Sequence, residues 1–410
     1  MPRLLLSLVV LAGLGWPRHL VAEDAPPPSQ PGPAKTASAG VTDEQAREFV
    51  DAVEDAIAQD DPKAFGALID WNDLCTTATS GFPDTPAMRK LRRDFARGVI
   101  SKIRESGGIT SQILQSLKTD GTYRFLRIHK VDQKNRALFR MVTEQGLNYH
   151  DFVLEAKPVR GIVAVDLYVY ITGELFSETL HQLFAPLTKD ALKDAKAKPA
   201  TGEFDYDKLK NFSELAKTDR FDDLKKLYQS LPESMQKQKS LLILWMAAAA
   251  RHNEAQYGAA IETYETAYPN DPSLNLILID GYFLRGKFDM ALQATERLDR
   301  QIGGDPYLNV MRANIHTKMK DYAKARQAAE KGIQEEPDLV DAHWALISTA
   351  LTEKDAKGVL EQLKRIDQKF ELSFGDMTQE ADYADFVKTP QHAEWKAYLK
   401  AKPAPPDESK

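Results

Sequence analysis

An aromatic residue followed three positions later by a small or apolar residue occurs four times in the second half of this chain. The copies begin at Phe221, Tyr257, Phe288 and Tyr322, so the aromatic residues are separated by 36, 31 and 34 residues. A period near 34 residues constrains the fold, because such a unit cannot bury its apolar face alone and must stack on its neighbours. This part of the chain is therefore predicted to be an array of helical hairpins.

Two of the copies share a longer register. Ala260 and Ala325 are each followed at offsets 4, 7 and 12 by three further residues, which are Tyr264, Ala267 and Pro272 in one copy and Ala329, Gly332 and Pro337 in the other. This pattern resembles the tetratricopeptide repeat, in which small residues let two antiparallel helices approach and the proline ends the second helix. The resemblance implies an α-solenoid of four and a half to five helix pairs between Phe221 and Ile366, with a cap from Phe370 to Trp395.

The N-terminus has the pattern of a secretory signal peptide. Arg3 precedes an apolar run from Leu4 to Leu14, and a more polar segment follows it and ends at Ala22. The run is far shorter than the roughly 20 residues that span a bilayer, which argues against stable membrane insertion. We therefore expect export to a periplasm or secretion, with residues 1–22 removed after Ala22.

Charge and cysteine content narrow the class of protein further. Removal of the leader takes the formal net charge from −6 to −8, and so acidic a chain is a poor candidate for binding nucleic acid. Cys75 is the single cysteine, so no intrachain disulfide can form. That composition fits a bacterial-type periplasm better than a disulfide-rich extracellular module.

Segments rich in Pro, Ala and Lys divide the chain. Residues 23–40 are predicted to be a linker, 188–203 a second linker and 401–410 a disordered tail. They bound a domain at 41–187 and the tetratricopeptide-like α-solenoid with its cap at 204–400. Because 188–203 has few apolar residues, we expect it to join two independently folding units.

In the domain at 41–187, the sequence predicts helices followed by strands. Thr42 and Gln45 form a capping-box pattern before an amphipathic helix, a second helix is predicted from Asp61 through Trp71, and a third ends at Gly107. The periodicity then changes to two in four segments, which are Tyr123–Val131, Arg136–Thr143, Leu147–Ala156 and Ile162–Thr172. Helices followed by adjacent antiparallel strands predict an α+β domain with a curved sheet packed on helices.

This order of elements is similar to the nuclear transport factor 2 family, whose cone-shaped fold includes ketosteroid isomerases. The resemblance covers roughly Thr42 to Pro186 and implies a pocket on the concave side of the sheet. A general base in such a pocket would be a buried carboxylate or imidazole, and the strand residues of that kind are Asp166, Asp151, His129 and His150. The alternative is structural: Asp166 would bond a neighbouring loop, and both histidines would lie on solvated faces.

The sequence carries no common catalytic or metal-binding motif. The eight histidines show no metal-ligand spacing, and no nucleophile elbow, phosphate-binding loop or dinucleotide fingerprint occurs. No cofactor and no metal are therefore predicted, and a non-enzymatic role is favoured.

The repeat family lines its groove with the first helix of each pair. By register this implies seven groove residues, which are Trp245, His252, Phe283, Tyr307, Asn314, Lys318 and Trp344. The alternative for each of them is packing between repeats. The first hypothesis is an exported scaffold or adaptor that binds a protein or peptide. The second is a small apolar ligand, or an isomerase-like or hydrolytic step, in the domain at 41–187; a deep cavity with a buried Asp or His would favour it, and a filled core would favour the scaffold.

Overall fold

The computed structural model describes residues 41–118, 121–144, 146–188, 206–216, 218, 220–370, 372 and 374–402. The predicted signal peptide, the first linker, nearly all of the second linker and the tail lie outside these residues. By internal contacts the chain forms two compact units, one ending at Ile277 and the other beginning at Leu278. Independent folding on either side of 188–203 stays a prediction.

Five helices precede the sheet, and they are α1 (Asp43–Ala58), α2 (Pro62–Ala67), α3 (Trp71–Ala78), α4 (Pro86–Ser106) and α5 (Gly108–Leu117). The capping box is present: Thr42 Oγ1 accepts from the Gln45 amide at 3.2 Å, and Gln45 Oε1 accepts from the Thr42 amide at 3.0 Å. Gly107 ends α4 at φ 75°, in the left-handed region that favours glycine. The capping box and the helix end at Gly107 are therefore confirmed.

The predicted second helix was wrong as a single element. The chain leaves helical geometry after Ala67, and Ile69 forms a parallel bridge with Ala164 of the sheet. The Asp70 amide donates to the Ala164 carbonyl at 2.7 Å, and the Ala164 amide donates to the Leu68 carbonyl at 2.9 Å. Pairing with the sheet thus replaces one helical turn and separates α2 from α3.

Five antiparallel strands form a meander in chain order, and they are β1 (Thr122–Val131), β2 (Lys134–Thr143), β3 (Gly146–Lys157), β4 (Gly161–Val169) and β5 (Glu174–Leu175). The prediction of an antiparallel sheet after helices is confirmed. Strand β4 ends three residues earlier than predicted, because the Gly173 amide turns back to the Val169 carbonyl at 2.8 Å. Helix α6 (Phe176–Phe184) follows β5.

The rest of the described chain is helical, with α7 (Tyr206–Ala216), α8 (Phe221–Ser230), α9 (Glu233–Gln236), α10 (Lys239–His252), α11 (Glu254–Ala267), α12 (Leu274–Leu284), α13 (Phe288–Ile302), α14 (Tyr307–Lys318), α15 (Tyr322–Glu335), α16 (Val340–Glu353), α17 (Ala356–Phe370) and α18 (Pro390–Ala401). Helix α14 packs on α15 and also on α16, and α16 packs on α17. Helix α14 therefore contacts both its hairpin partner and the first helix of the next hairpin, as in a helical repeat.

Small residues allow this packing. Gly332 of α15 lies so close to its neighbours that an added Cβ would stand 3.4 Å from Ala342 Cβ and 3.5 Å from the Pro306 carbonyl oxygen. At the C-terminal end, Met377, Phe386 and Trp395 pack against Leu363 and other core residues of α16 and α17. The segment predicted as a cap covers the last helix pair.

Candidate functional site

The side of the sheet that faces the helices is filled by aromatic rings. Phe139 and His150 are directly opposite in the register of β2 and β3, so they share this face. Phe152 lies two residues along β3, with its ring centroid 5.5 Å from that of Phe49 and 6.1 Å from that of Phe65. Such separations are those of packed aromatic pairs. This side of the sheet is therefore the core of the α+β domain.

His150 is fully buried within this aromatic layer. Its Nδ1 lies 3.0 Å from Tyr123 Oη, and its Nε2 lies 3.3 Å from Asn148 Nδ2. Because Asn148 Oδ1 already accepts from the backbone amides of Tyr149 and Ile171, the amide nitrogen of Asn148 points at Nε2 as a donor. A neutral ring that accepts at Nε2 carries its proton on Nδ1 and donates it to Tyr123.

Burial lowers the pKa of His150 to about 3, which keeps the ring neutral at physiological pH. The expectation of a solvated face was wrong for this histidine, because it lies on the core side of β3. Both nitrogens of the ring have polar partners. In this arrangement His150 serves the packing of the core.

On the opposite side of the sheet, His129 and Asp151 come together. His129 Nε2 lies 2.9 Å from Asp151 Oδ1, and Arg136 Nη1 lies 3.4 Å from Asp151 Oδ2. The exposed fraction of the side chain is 26% for His129, 12% for Arg136 and 2% for Asp151. A buried carboxylate between two nitrogen donors is an ion-pair network that holds three strands in register.

The same face carries further basic and phenolic groups. Arg127 and Arg140 share it with Asp151 by register, and Tyr168 lies directly opposite Asp151 on β4. Burial, with Asp271 as the next cause, raises the pKa of Tyr168 to about 12, so its phenol is protonated and can donate a hydrogen bond. This cluster was missed as a unit from the sequence. The signal for it was the recurrence of arginine on one face of an otherwise apolar β2 strand.

Asp166 joins the sheet to the following helix. Its carboxylate accepts from the backbone amides of Leu167 at 2.9 Å and Ser177 at 3.1 Å, and from Ser177 Oγ. Burial raises the pKa of this carboxyl, while the three donors oppose that shift. Because two of the three donors belong to Ser177 in the first turn of α6, Asp166 ties β4 to that helix and has a structural role.

In the first helical hairpins, Trp245 and His252 belong to one stack of rings. The Trp245 ring centroid lies 4.8 Å from that of Tyr228 and 5.0 Å from that of Phe221, and Phe221 in turn lies 4.3 Å from His252. Trp245 is only 7% exposed, whereas His252 is exposed. Trp245 therefore contributes mainly to packing between helices.

The remaining groove candidates lie in the unit that begins at Leu278. Phe283 is half-buried against Phe288, with ring centroids 5.7 Å apart. Tyr307 is half-buried against the core formed by α14, α15 and α16. Both side chains already contribute to packing between helices.

Asn314, Lys318 and Trp344 are the candidates on α14 and α16 that remain. Asn314 and Lys318 are four residues apart on one face of α14, and Trp344 lies on the neighbouring α16. Asn314 is half-buried and Lys318 is exposed. Trp344 is half-buried and packs against the core formed by α16, α17 and the C-terminal cap. We call these three residues the first-helix surface. Ser348, one turn after Trp344, is a half-buried neighbour that the repeat register did not single out.

Metal sites, membrane spans and the single cysteine are considered together. Within the described residues, no group of three or more His, Cys, Asp or Glu side chains is placed to hold a metal ion. No helix in that part of the chain is long and apolar enough to cross a membrane. Cys75 is buried, and burial raises the pKa of its thiol to about 12, so it is not an activated nucleophile.

Comparison with known proteins adds no relative. No family model, no curated protein and no solved structure matches the chain. The structure itself shows a five-stranded antiparallel sheet packed on helices and followed by a repeat-like helical array.

Proposed function

We propose that this protein is an exported, non-enzymatic scaffold that binds a peptide or protein through its tetratricopeptide-like helical array. The first-helix surface of Asn314, Lys318 and Trp344 is the binding site in this proposal. The observation that carries it is that the polar groups of these three residues make no hydrogen bond or ion pair within the described residues.

Many charged groups of the array are used internally, on first helices as well as on second helices. On α14, Arg312 pairs with Asp299. Arg365 of α17 pairs with Glu330 of α15, and Lys364 pairs with Glu394 of α18 at 2.7 Å. By contrast, among the described residues the side chains of Asn314 and Lys318 make no hydrogen bond or ion pair, and neither does the Trp344 indole N–H. Polar groups that no intramolecular contact requires are available to a partner.

These three groups suit an extended peptide. The Asn314 amide can both donate to and accept from a peptide backbone, and the Trp344 indole offers apolar surface with one donor. Lys318 favours a carboxylate on the partner. Tryptophan is enriched among residues that dominate interface energies, which makes Trp344 the expected anchor.

The test compares two double variants of the full chain. Asn314→Ala with Lys318→Ala removes the amide and the ammonium from α14. Gln327→Ala with Lys331→Ala removes the same two chemistries at the same spacing from exposed positions of α15. Peptides are first selected from a random library with the wild-type protein, and their dissociation constants are then measured by fluorescence anisotropy.

We expect the α14 double variant to bind the selected peptides roughly tenfold or more weakly, and the α15 control to match wild type. Equal binding by all three proteins would remove the first-helix surface from consideration. Peptide binding lost equally in both variants would point to a general effect of lysine removal.

The second hypothesis, a small apolar ligand or a reaction in the α+β domain, is supported less well. The helix-facing side of the sheet holds His150 among packed rings, and a filled core is what a scaffold needs. A crystallographic fragment screen on the full chain tests it. A fragment bound beside His150 or the His129–Asp151 pair would revive this function.

A further inference from the structure

Three charged side chains from distant parts of the chain form one largely buried group. Lys239 Nζ, at the start of α10, lies 2.7 Å from Asp271 Oδ2 and 3.6 Å from Glu174 Oε2. The exposed fractions of these side chains are 11% for Lys239, 10% for Asp271 and 13% for Glu174. Glu174 belongs to β5, whereas Lys239 and Asp271 belong to the helical array. We call these three residues the Lys239 cluster.

Each carboxylate is held by hydrogen bonds from residues close to it in sequence. Glu174 accepts from Thr179 Oγ1 at 2.6 Å and from Gln182 Nε2 at 3.0 Å, both on α6. Asp271 Oδ1 accepts from the Ser273 amide at 2.9 Å and from Ser273 Oγ at 2.6 Å. Since the two carboxylates are fixed by different parts of the chain, the Lys239 ammonium joins two preorganised acceptors.

The backbones also meet at this point. Gly173 adopts φ 62°, and a Cβ added there would stand 2.6 Å from Asp271 Oδ1 and 2.8 Å from the Ser273 amide nitrogen. Approach this close requires a residue without a side chain. The turn between β4 and β5 therefore lies directly on the turn between α11 and α12.

We propose that the Lys239 cluster clamps the α+β domain to the α10–α11 hairpin of the array, so that the described residues up to Ile277 move and unfold as one body. Residues 188–203 would then be a covalent connection that the docked parts do not need. This inference goes beyond the proposed binding function, and it opposes the sequence-based expectation of two independently folding units.

Burial makes the cluster sensitive to the loss of one member. Removing one partner of a buried ion pair leaves the other charge unpaired in a poorly solvated site, which is strongly destabilising. Here loss of Lys239 would leave two carboxylates together, and burial already raises the pKa of Glu174. A pair at the surface has no such penalty, because water solvates the remaining charge.

The experiment places a site-specific protease sequence between Lys193 and Lys198 of the full chain. After complete cleavage under native conditions, the two fragments are separated by gel filtration at micromolar concentration. The test variant is Lys239→Met. The matched control is Lys237→Met, which breaks the exposed pair of Lys237 with Glu233, whose side chains are 65% and 79% exposed.

We expect the cleaved wild type and the Lys237→Met control to elute as intact complexes. The cleaved Lys239→Met protein should separate into two fragments, with association weakened on the order of 100-fold. If Lys239→Met fails to fold, Glu174→Gln keeps the shape of the side chain while removing its charge, and it should weaken association in the same direction. Separation of the cleaved wild type, or equal retention of all variants, would overturn the proposal.

Discussion

Polar side chains have opposite roles in the sheet and on the first-helix surface of the array. In the sheet, His150, Asp151 and Asp166 are buried and each is bonded to named neighbours. On α14, Asn314 is half-buried and Lys318 is exposed, and neither makes such a bond within the described chain. Residue type alone would rank the first group as the more functional. The hydrogen-bond and ion-pair partners reverse that ranking, because a polar group that is already bonded within the fold is not available to a ligand.

The two tryptophans assigned to the groove give the sharpest form of this comparison. Trp245 is buried between Tyr228 and Phe221. Trp344 is half-buried against the C-terminal core, with one ring contact, to Phe374 at 6.2 Å. Trp245→Ala should lower the free energy of unfolding by about 3–5 kcal/mol, as for other buried aromatic residues. Trp344→Ala should cost less than half of that and weaken binding of the selected peptides.

Urea unfolding and anisotropy on the same protein preparations check both halves of this prediction. A Trp344→Ala protein as unstable as Trp245→Ala, with unchanged peptide affinity, would place Trp344 in the packing between hairpins and contradict its role as an anchor.

The ion-pair network of the sheet predicts the next largest effect. Asp151→Ala leaves Arg136 buried without its carboxylate and should cost about 3 kcal/mol of unfolding free energy. Asp84→Ala removes a carboxylate that also faces two arginines, but that side chain is 68% exposed, so the expected cost is under about 1 kcal/mol. Chemical denaturation at pH 7 measures both. Similar costs for the two variants would show that burial does not decide the value of these pairs.

Local signals made the elements predictable from the sequence, whereas contacts between distant residues did not. The capping box at Thr42 and the end of α4 at Gly107 depend on neighbouring residues and were found. The division of α2 from α3 depends on the bridge of Ile69 to Ala164, which no local pattern records.

The same distinction applies to the candidate site. His129 and Asp151 were each noted as candidates, but their contact spans 22 residues and follows from the pairing of three strands. Glu174 and Lys239 were not noted at all, because nothing near either residue in sequence indicates a partner across the fold. Residue types could be read from the chain, but the partners that decide their roles could not.

The last predicted effect is the pH dependence due to His150. Its pKa is about 3 in the folded protein because the ring is buried, against the ordinary value of 6.5 in the unfolded chain. The unfolded state therefore binds a proton that the folded state does not, and stability falls as the pH drops from 6.5 towards 3. Between pH 7.5 and pH 5 the expected loss is about 2 kcal/mol.

His150→Gln should remove this slope while keeping a polar side chain beside Tyr123. The measurement is the unfolding free energy of both proteins at pH 7.5, 6 and 5, where only the difference in slope is compared, so that the direct cost of the substitution cancels. His343 is buried in α16, and burial followed by Arg365 lowers its pKa to about 4. It therefore adds a second loss of unfolding free energy as the pH falls. Parallel curves for wild type and His150→Gln would mean that the ring is protonated in the folded core, and the sheet would then hold a charged group that its partners do not account for.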